Sequence, residues 1–143
     1  MLQRIAKVTI LFIAAGVGLY LGDVVGSIPR DALPYEYWGP AEALRYFYYY
    51  HGIVVGAVTT SFVYVASRLL RFPEVAALLV ASVGSLYHPI WQQHITGSDF
   101  FSESGIFEIG GFQVPYFLGL LVVFGIVQVS KIVALPFLRK GAR

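Results

Sequence analysis

Cysteine is missing from the 143 residues, which excludes disulfides, thiolate metal sites and thiol redox chemistry. Asparagine is missing as well and methionine occurs once, a shortage of thermolabile side chains that fits a thermophilic protein. Charge is scarce. Asp, Glu, Lys and Arg make up 13% of the chain against 57% hydrophobic residues, and mean hydropathy is +0.71, far from the balance of a soluble globular domain. No basic run or basic-plus-aromatic patch points to nucleic acid. A G-x-S-x-G setting and a G-x-x-x-x-G-K-[ST] loop are both lacking, so neither serine hydrolysis nor phosphate cradling by a glycine loop is indicated.

The charges that remain are sorted. Arg4 and Lys7 lie near the start, Arg68 and Arg71 in the middle, and Lys131, Arg139, Lys140 and Arg143 near the end. The acids Asp23, Asp31, Glu36, Glu42, Asp99, Glu103 and Glu108 fall in the two intervening regions. Glu74 on the basic side, with Arg30 and Arg45 on the acidic side, are the exceptions. Apolar stretches long enough to cross a bilayer separate the clusters. The positive-inside rule produces this order in a four-span protein of the cell membrane with both termini cytoplasmic. The acidic loops and all three histidines then belong to the extracytoplasmic side.

One all-α domain over 1–143 is expected, with transmembrane helices at about 5–25, 43–70, 73–93 and 115–135. Arg4 and Lys7 before an apolar run resemble a signal peptide. No small-x-small cleavage site follows, so a retained helix is expected. The loop between the first two helices holds Pro29, Pro34 and Pro40 and reads as irregular. Pro136 reads as the stop of the fourth helix, and Lys131 as a side chain snorkelling to the inner surface. Pro89 cannot donate to the Ser85 carbonyl, which predicts a kink or break late in the third helix.

Small residues recur every four positions. Gly18, Gly22 and Gly26 form one row that Ala14 extends; Gly52, Gly56 and Thr60 form a second; Ala77, Ala81 and Ser85 form a third. Such rows let membrane helices meet at the backbone. Packing within the chain is the reading adopted, with contact between subunits as the alternative. The run Tyr46-Phe47-Tyr48-Tyr49-Tyr50 before His51 reads as an aromatic belt at the bilayer surface.

The histidines carry the chemical question. The short turn between the second and third helices makes them antiparallel neighbours. Counted from Phe72, His51 lies 21 residues back and His88 16 forward, a depth difference of about 7 Å at 1.5 Å per residue. Two histidines on facing helices suit the axial positions of a b-type haem. Gly52, Gly56, Ala81, Gly84 and Ser85 would leave room for the macrocycle. His51, His88 and His94 together, with Asp99 or Glu103, offer an alternative site for copper, zinc or iron. That site needs the helix to break after Pro89, because six residues separate His88 from His94. Tyr87, Trp91, Gln92 and Gln93 can be read as the wall of a quinone cleft or, more simply, as interfacial belt and capping groups.

The His51-Gly52 step, with aromatics before it and an apolar run after it, resembles the His-Gly step bearing a haem ligand in haem–copper oxidase main subunits. The four-span order is loosely similar to the membrane subunit of copper-dependent ammonia and methane monooxygenases. The oxidase copper-site histidines are absent, and the acid of the monooxygenase Asp-x-x-x-His pattern would fall at Gly84. No residue role is therefore carried over.

Two readings follow. The chain is a small integral subunit of a larger membrane complex, respiratory or otherwise redox, with partner subunits or further copies of itself and no chemistry of its own. Alternatively it is a cytochrome-like electron carrier holding haem b on His51 and His88, with quinol access from the outer side. A metal-dependent oxidoreductase using His51, His88 and His94 stands behind both.

Overall fold

The computed structural model describes the backbone of residues 2–27, 35–86 and 103–140, and the side chains of residues 2–27, 49–86 and 112–134. Four helices account for nearly all of them: α1 (Leu2–Ser27), α2 (Tyr35–Leu69), α3 (Glu74–Gly84) and α4 (Glu103–Lys140). The expected all-α class holds, with no strand among the described residues. Among the described residues, three stretches are long and apolar enough to cross a bilayer: Leu2–Ser27, Tyr49–Leu69 and Phe112–Ala134.

Several boundaries differ from those read in the sequence, and proline accounts for most of the differences. Helix α2 starts at Tyr35 and runs through Pro40, although three prolines suggested a loop there. Helix α4 starts at Glu103, runs through Pro115 and passes Pro136 to reach Lys140. A proline inside a helix removes one donor and strains the preceding turn, but the helix can resume on both sides. Pro40 stands in a polar stretch of the sequence with Glu36, Glu42 and Arg45, where water can take the freed carbonyl.

Helix α3 is shorter than the expected 73–93. After Gly84, the Ser85 and Leu86 amides donate to the Ser82 and Val83 carbonyls at 3.1 Å, the tightened i→i−3 pattern of a helix end. Its 11 residues rise about 16 Å, short of a hydrocarbon core of about 30 Å. Residues 87–102, with Pro89, lie outside the described residues.

Between α2 and α3 the chain turns at Arg71, whose φ of 53° is left-handed. The Phe72 amide donates to Ser67 O at 2.8 Å and the Arg71 amide to Arg68 O at 3.2 Å, the paired bonds of a Schellman cap. Glycine usually fills this position because a Cβ is strained there. Pro73 then caps α3 through its carbonyl, which accepts from the Ala76 and Ala77 amides.

Helix α2 is the centre of the bundle, with α1 and α4 packed along it. One stripe on α2, His51, Val55, Thr59, Val63 and Ser67, is buried at every position. It faces α1 in antiparallel order. A Cβ at Gly18 would lie 2.7 Å from Thr59 Cα, one at Gly22 2.8 Å from Val55 Cα, and one at Gly26 2.9 Å from His51 Cδ2. A second stripe, one residue on, faces α4. A Cβ at Gly56 would come within 2.1 Å of Tyr116 O, and one at Gly119 within 2.1 Å of Ile53 O. Because Gly52 meets Phe112 and Gly56 meets Tyr116, α2 and α4 run parallel. The glycine rows therefore serve packing within the chain, as expected, and the second row finds its partner in α4.

Helix α3 runs antiparallel to α4. The Tyr116 hydroxyl donates to Ala81 O at 2.6 Å, while Lys131 Nζ donates to the Glu74 carboxylate at the other end. The apolar side chains turned outward are large, among them Phe12, Ile13, Leu79, Leu121, Ile126 and Ile132. Several hydroxyls in the apolar helices bond back to their own backbone: Ser61 to Ala57 O, Ser82 to Leu78 O and Ser130 to Ile126 O. A helix immersed in hydrocarbon has to satisfy its polar groups in this internal way.

Candidate functional site

His51 is the first member of the α2 stripe that faces α1, and this register decides its surroundings. Gly26 lies opposite and offers no Cβ, so the imidazole rests against the α1 backbone. One turn away on α1, Asp23 reaches the ring: His51 Nε2 stands 2.9 Å from Asp23 Oδ1. The histidine side chain is 6% exposed and that of the aspartate 58%, so the pair spans the boundary between bundle interior and surroundings. Phe112 of α4 closes another side edge-on, with ring centroids 6.0 Å apart at 85°. Three helices thus hold one imidazole.

His51 is buried in the bundle interior. His88 and His94 lie outside the described residues, as do Tyr87, Trp91, Gln92, Gln93 and Asp99, and the Glu103 side chain. Among the described residues, no group of three His, Cys, Asp or Glu comes together. Tyr49 and Tyr50, at the end of the aromatic run, are exposed, in keeping with an interfacial belt.

The small residues expected to leave room for a macrocycle have other neighbours. Gly52 faces Phe112 O and the Pro115 ring, Gly56 faces the Tyr116 backbone, and a Cβ at Gly84 would meet the Tyr116 hydroxyl at 2.7 Å. Nε2, the usual metal-binding nitrogen, faces Asp23. A haem beside His51 therefore requires α4 to move and Asp23 to withdraw.

Asp23, Gly26 and Phe112 are the site residues that sequence reasoning missed. The glycine row of α1 contained the signal. Running it antiparallel against the buried row of α2 sets Gly26 opposite His51 and leaves Asp23 one turn from it.

A second polar cluster marks the opposite end. Glu74, the acid that broke the charge sorting, accepts from Lys131 and lies 3.6 Å from Arg68 Nη1, with Gln128 Nε2 at 3.4 Å. It ties the end of α2, the start of α3 and the far part of α4 together. Lys131, expected to snorkel to the inner surface, is paired with Glu74.

The three spans, the outward apolar faces and the internally satisfied hydroxyls define an all-helical chain suited to the lipid bilayer and compatible with a multi-pass membrane protein. Comparison with family models, curated proteins and solved structures gives no match.

Proposed function

We propose that this chain is a small integral subunit of a larger membrane assembly, built as a four-span bundle with both ends on the cytoplasmic side. The observation that carries the subunit reading is the length of two parallel helices, greater than a bilayer core requires. Helix α2 has 35 residues and α4 has 38. At 1.5 Å per residue they rise about 52 Å and about 57 Å, each about 20 Å or more beyond a hydrocarbon core of about 30 Å. Helical extensions of this kind offer partner subunits a surface outside the bilayer. The role of His51 in this reading is to lock α1, α2 and α4 together with Asp23. The redox character of the assembly rests on the histidines of the sequence alone. Support for the fourth crossing comes from the parallel course of α2 and α4, which sets the start of α4 at the opposite end of the bundle from the start of α3.

Purification of the tagged chain from its native membranes in mild detergent, followed by native electrophoresis and mass spectrometry, tests the proposal. Partner subunits in fixed stoichiometry are expected. A chain that purifies alone with a reducible Soret band would replace this reading with the bis-histidine haem carrier, which the buried position of His51 keeps as the second reading.

A further inference from the structure

The end of the bundle where α1 begins carries a half-open cavity of about 520 Å³, lined by Gln3, Arg4 and Lys7 of α1 and by Arg71, Phe72 and Pro73 of the α2–α3 turn. The cations at this end fall into two groups. Arg68 and Lys131 share Glu74, whereas Arg4, Lys7 and Arg71 have no acidic partner among the described residues. Three unneutralised cations around one concavity favour a compact anion.

The setting selects the kind of anion. An apolar groove between α1 and α2, lined by Ala14, Phe62, Val65 and Leu69, has almost no polar surface. Ala14 and Lys7 are seven residues apart on α1, hence on one face of the helix. Leu69, at the other wall of the groove, precedes Arg71 by two residues. The apolar groove therefore follows the basic cavity along the α1–α2 seam, about 10 Å further on at α1, within the reach of an acyl chain. A molecule with an anionic head and an alkyl chain can use both, whereas free phosphate can use only the cavity. We propose that this cavity holds the phosphate of an anionic glycerophospholipid, with an acyl chain in the α1–α2 groove. The inference needs only the bilayer and is independent of the subunit reading.

Native mass spectrometry of the full-length protein in detergent, titrated with dioleoylphosphatidylglycerol or dioleoylphosphatidylcholine, tests it. At roughly fivefold in affinity per basic residue near a membrane surface, the anionic lipid should bind at least about tenfold more tightly than the zwitterionic one. The Arg4→Gln/Lys7→Gln/Arg71→Gln variant should lose that preference. The Arg139→Gln/Lys140→Gln variant, which removes two cations from the end of the chain, should keep it. Excess inorganic phosphate should leave the lipid bound. Equal affinity for the two lipids, equal loss in both variants, or displacement by phosphate would overturn the proposal. If the triple variant does not fold, Arg4→Gln alone is decisive, because Arg4 is exposed on the first turn of α1. A roughly fivefold loss is expected there, and unchanged affinity would overturn the assignment.

Discussion

His51 Nε2 and Asp23 Oδ1 lie 2.9 Å apart across the α1–α2 seam, at the level where Gly26 has no side chain to separate the helices. The contact gives a buried imidazole a polar partner where hydrocarbon can offer none. Replacing His51 by Ala removes the ring that fills the space between Gly26 and Phe112, and strands the carboxylate. A loss of about 2 kcal/mol is expected in a reversible unfolding assay in mixed micelles. Asp23→Asn should cost less, about 1 kcal/mol, because the aspartate is more than half exposed. If both variants matched the parent, the pair would have no structural role. An optical spectrum of the same samples serves the rival reading. With haem present, His51→Ala and His88→Ala should each lose it while His94→Ala keeps it, and a three-histidine metal site should instead lose its metal in all three.

The glycines divide into two sets with opposite expectations. A Cβ at Gly56 or Gly119 would come within 2.1 Å of a backbone oxygen, whereas Gly16 and Gly125 have nothing within 4 Å. Gly56→Ala and Gly119→Ala should each destabilise the bundle by about 1–3 kcal/mol through overpacking. Gly16→Ala and Gly125→Ala should be neutral or stabilising by up to about 1 kcal/mol, from helix propensity. Thermal unfolding of the four variants decides between backbone contact and a general effect of glycine.

Glu74 should show coupling rather than a large single effect. Its contacts with Lys131 and Arg68 are partly exposed, so Glu74→Gln should cost about 1 kcal/mol at most. A double-mutant cycle with Lys131→Gln should return a coupling energy of about 0.5 kcal/mol or more. Additive costs would mean that the ion pair contributes nothing.

Sidedness can be read directly, because the chain has no native cysteine. Single cysteines at Arg71 and Glu103 should label from opposite sides of a sealed cell, with Glu103→Cys reactive from outside and Arg71→Cys protected. The reverse pattern would place both termini outside, and labelling of both from one side would remove the four-span topology.

Arg71 occupies a left-handed position that glycine fills at lower cost. Arg71→Gly should therefore raise stability by about 1 kcal/mol in zwitterionic detergent, where no anionic lipid rewards the charge. A destabilised variant in that detergent would show that the arginine side chain holds the turn.

Much of the bundle was legible because the bilayer imposes simple rules. Long apolar runs gave the three spans, and the four-residue glycine rows gave the seams. Two kinds of information were hidden. Pro40, Pro115 and Pro136 suggested helix ends, yet each costs one bond and the helices pass through them. The environment of His51 depended on register across a seam, and a row of small residues on one helix does not say which row it meets. The second row, headed by Gly52, drew attention on sequence grounds. The row headed by His51 mixes a histidine, two valines, a threonine and a serine, and showed no common character until its burial was seen.

The two contact stripes of α2 lie one residue apart, and this has a consequence for how the gene can change. Inserting or deleting one residue between Gly52 and Ser67 would turn the rest of the helix by about 100°, carrying positions that belong against α1 round toward α4. Both seams would fail at once, and no adjustment of a loop could restore them. The interior of α2 is therefore a fixed-length ruler for the molecule, open to substitution at its lipid-facing positions but closed to changes in length.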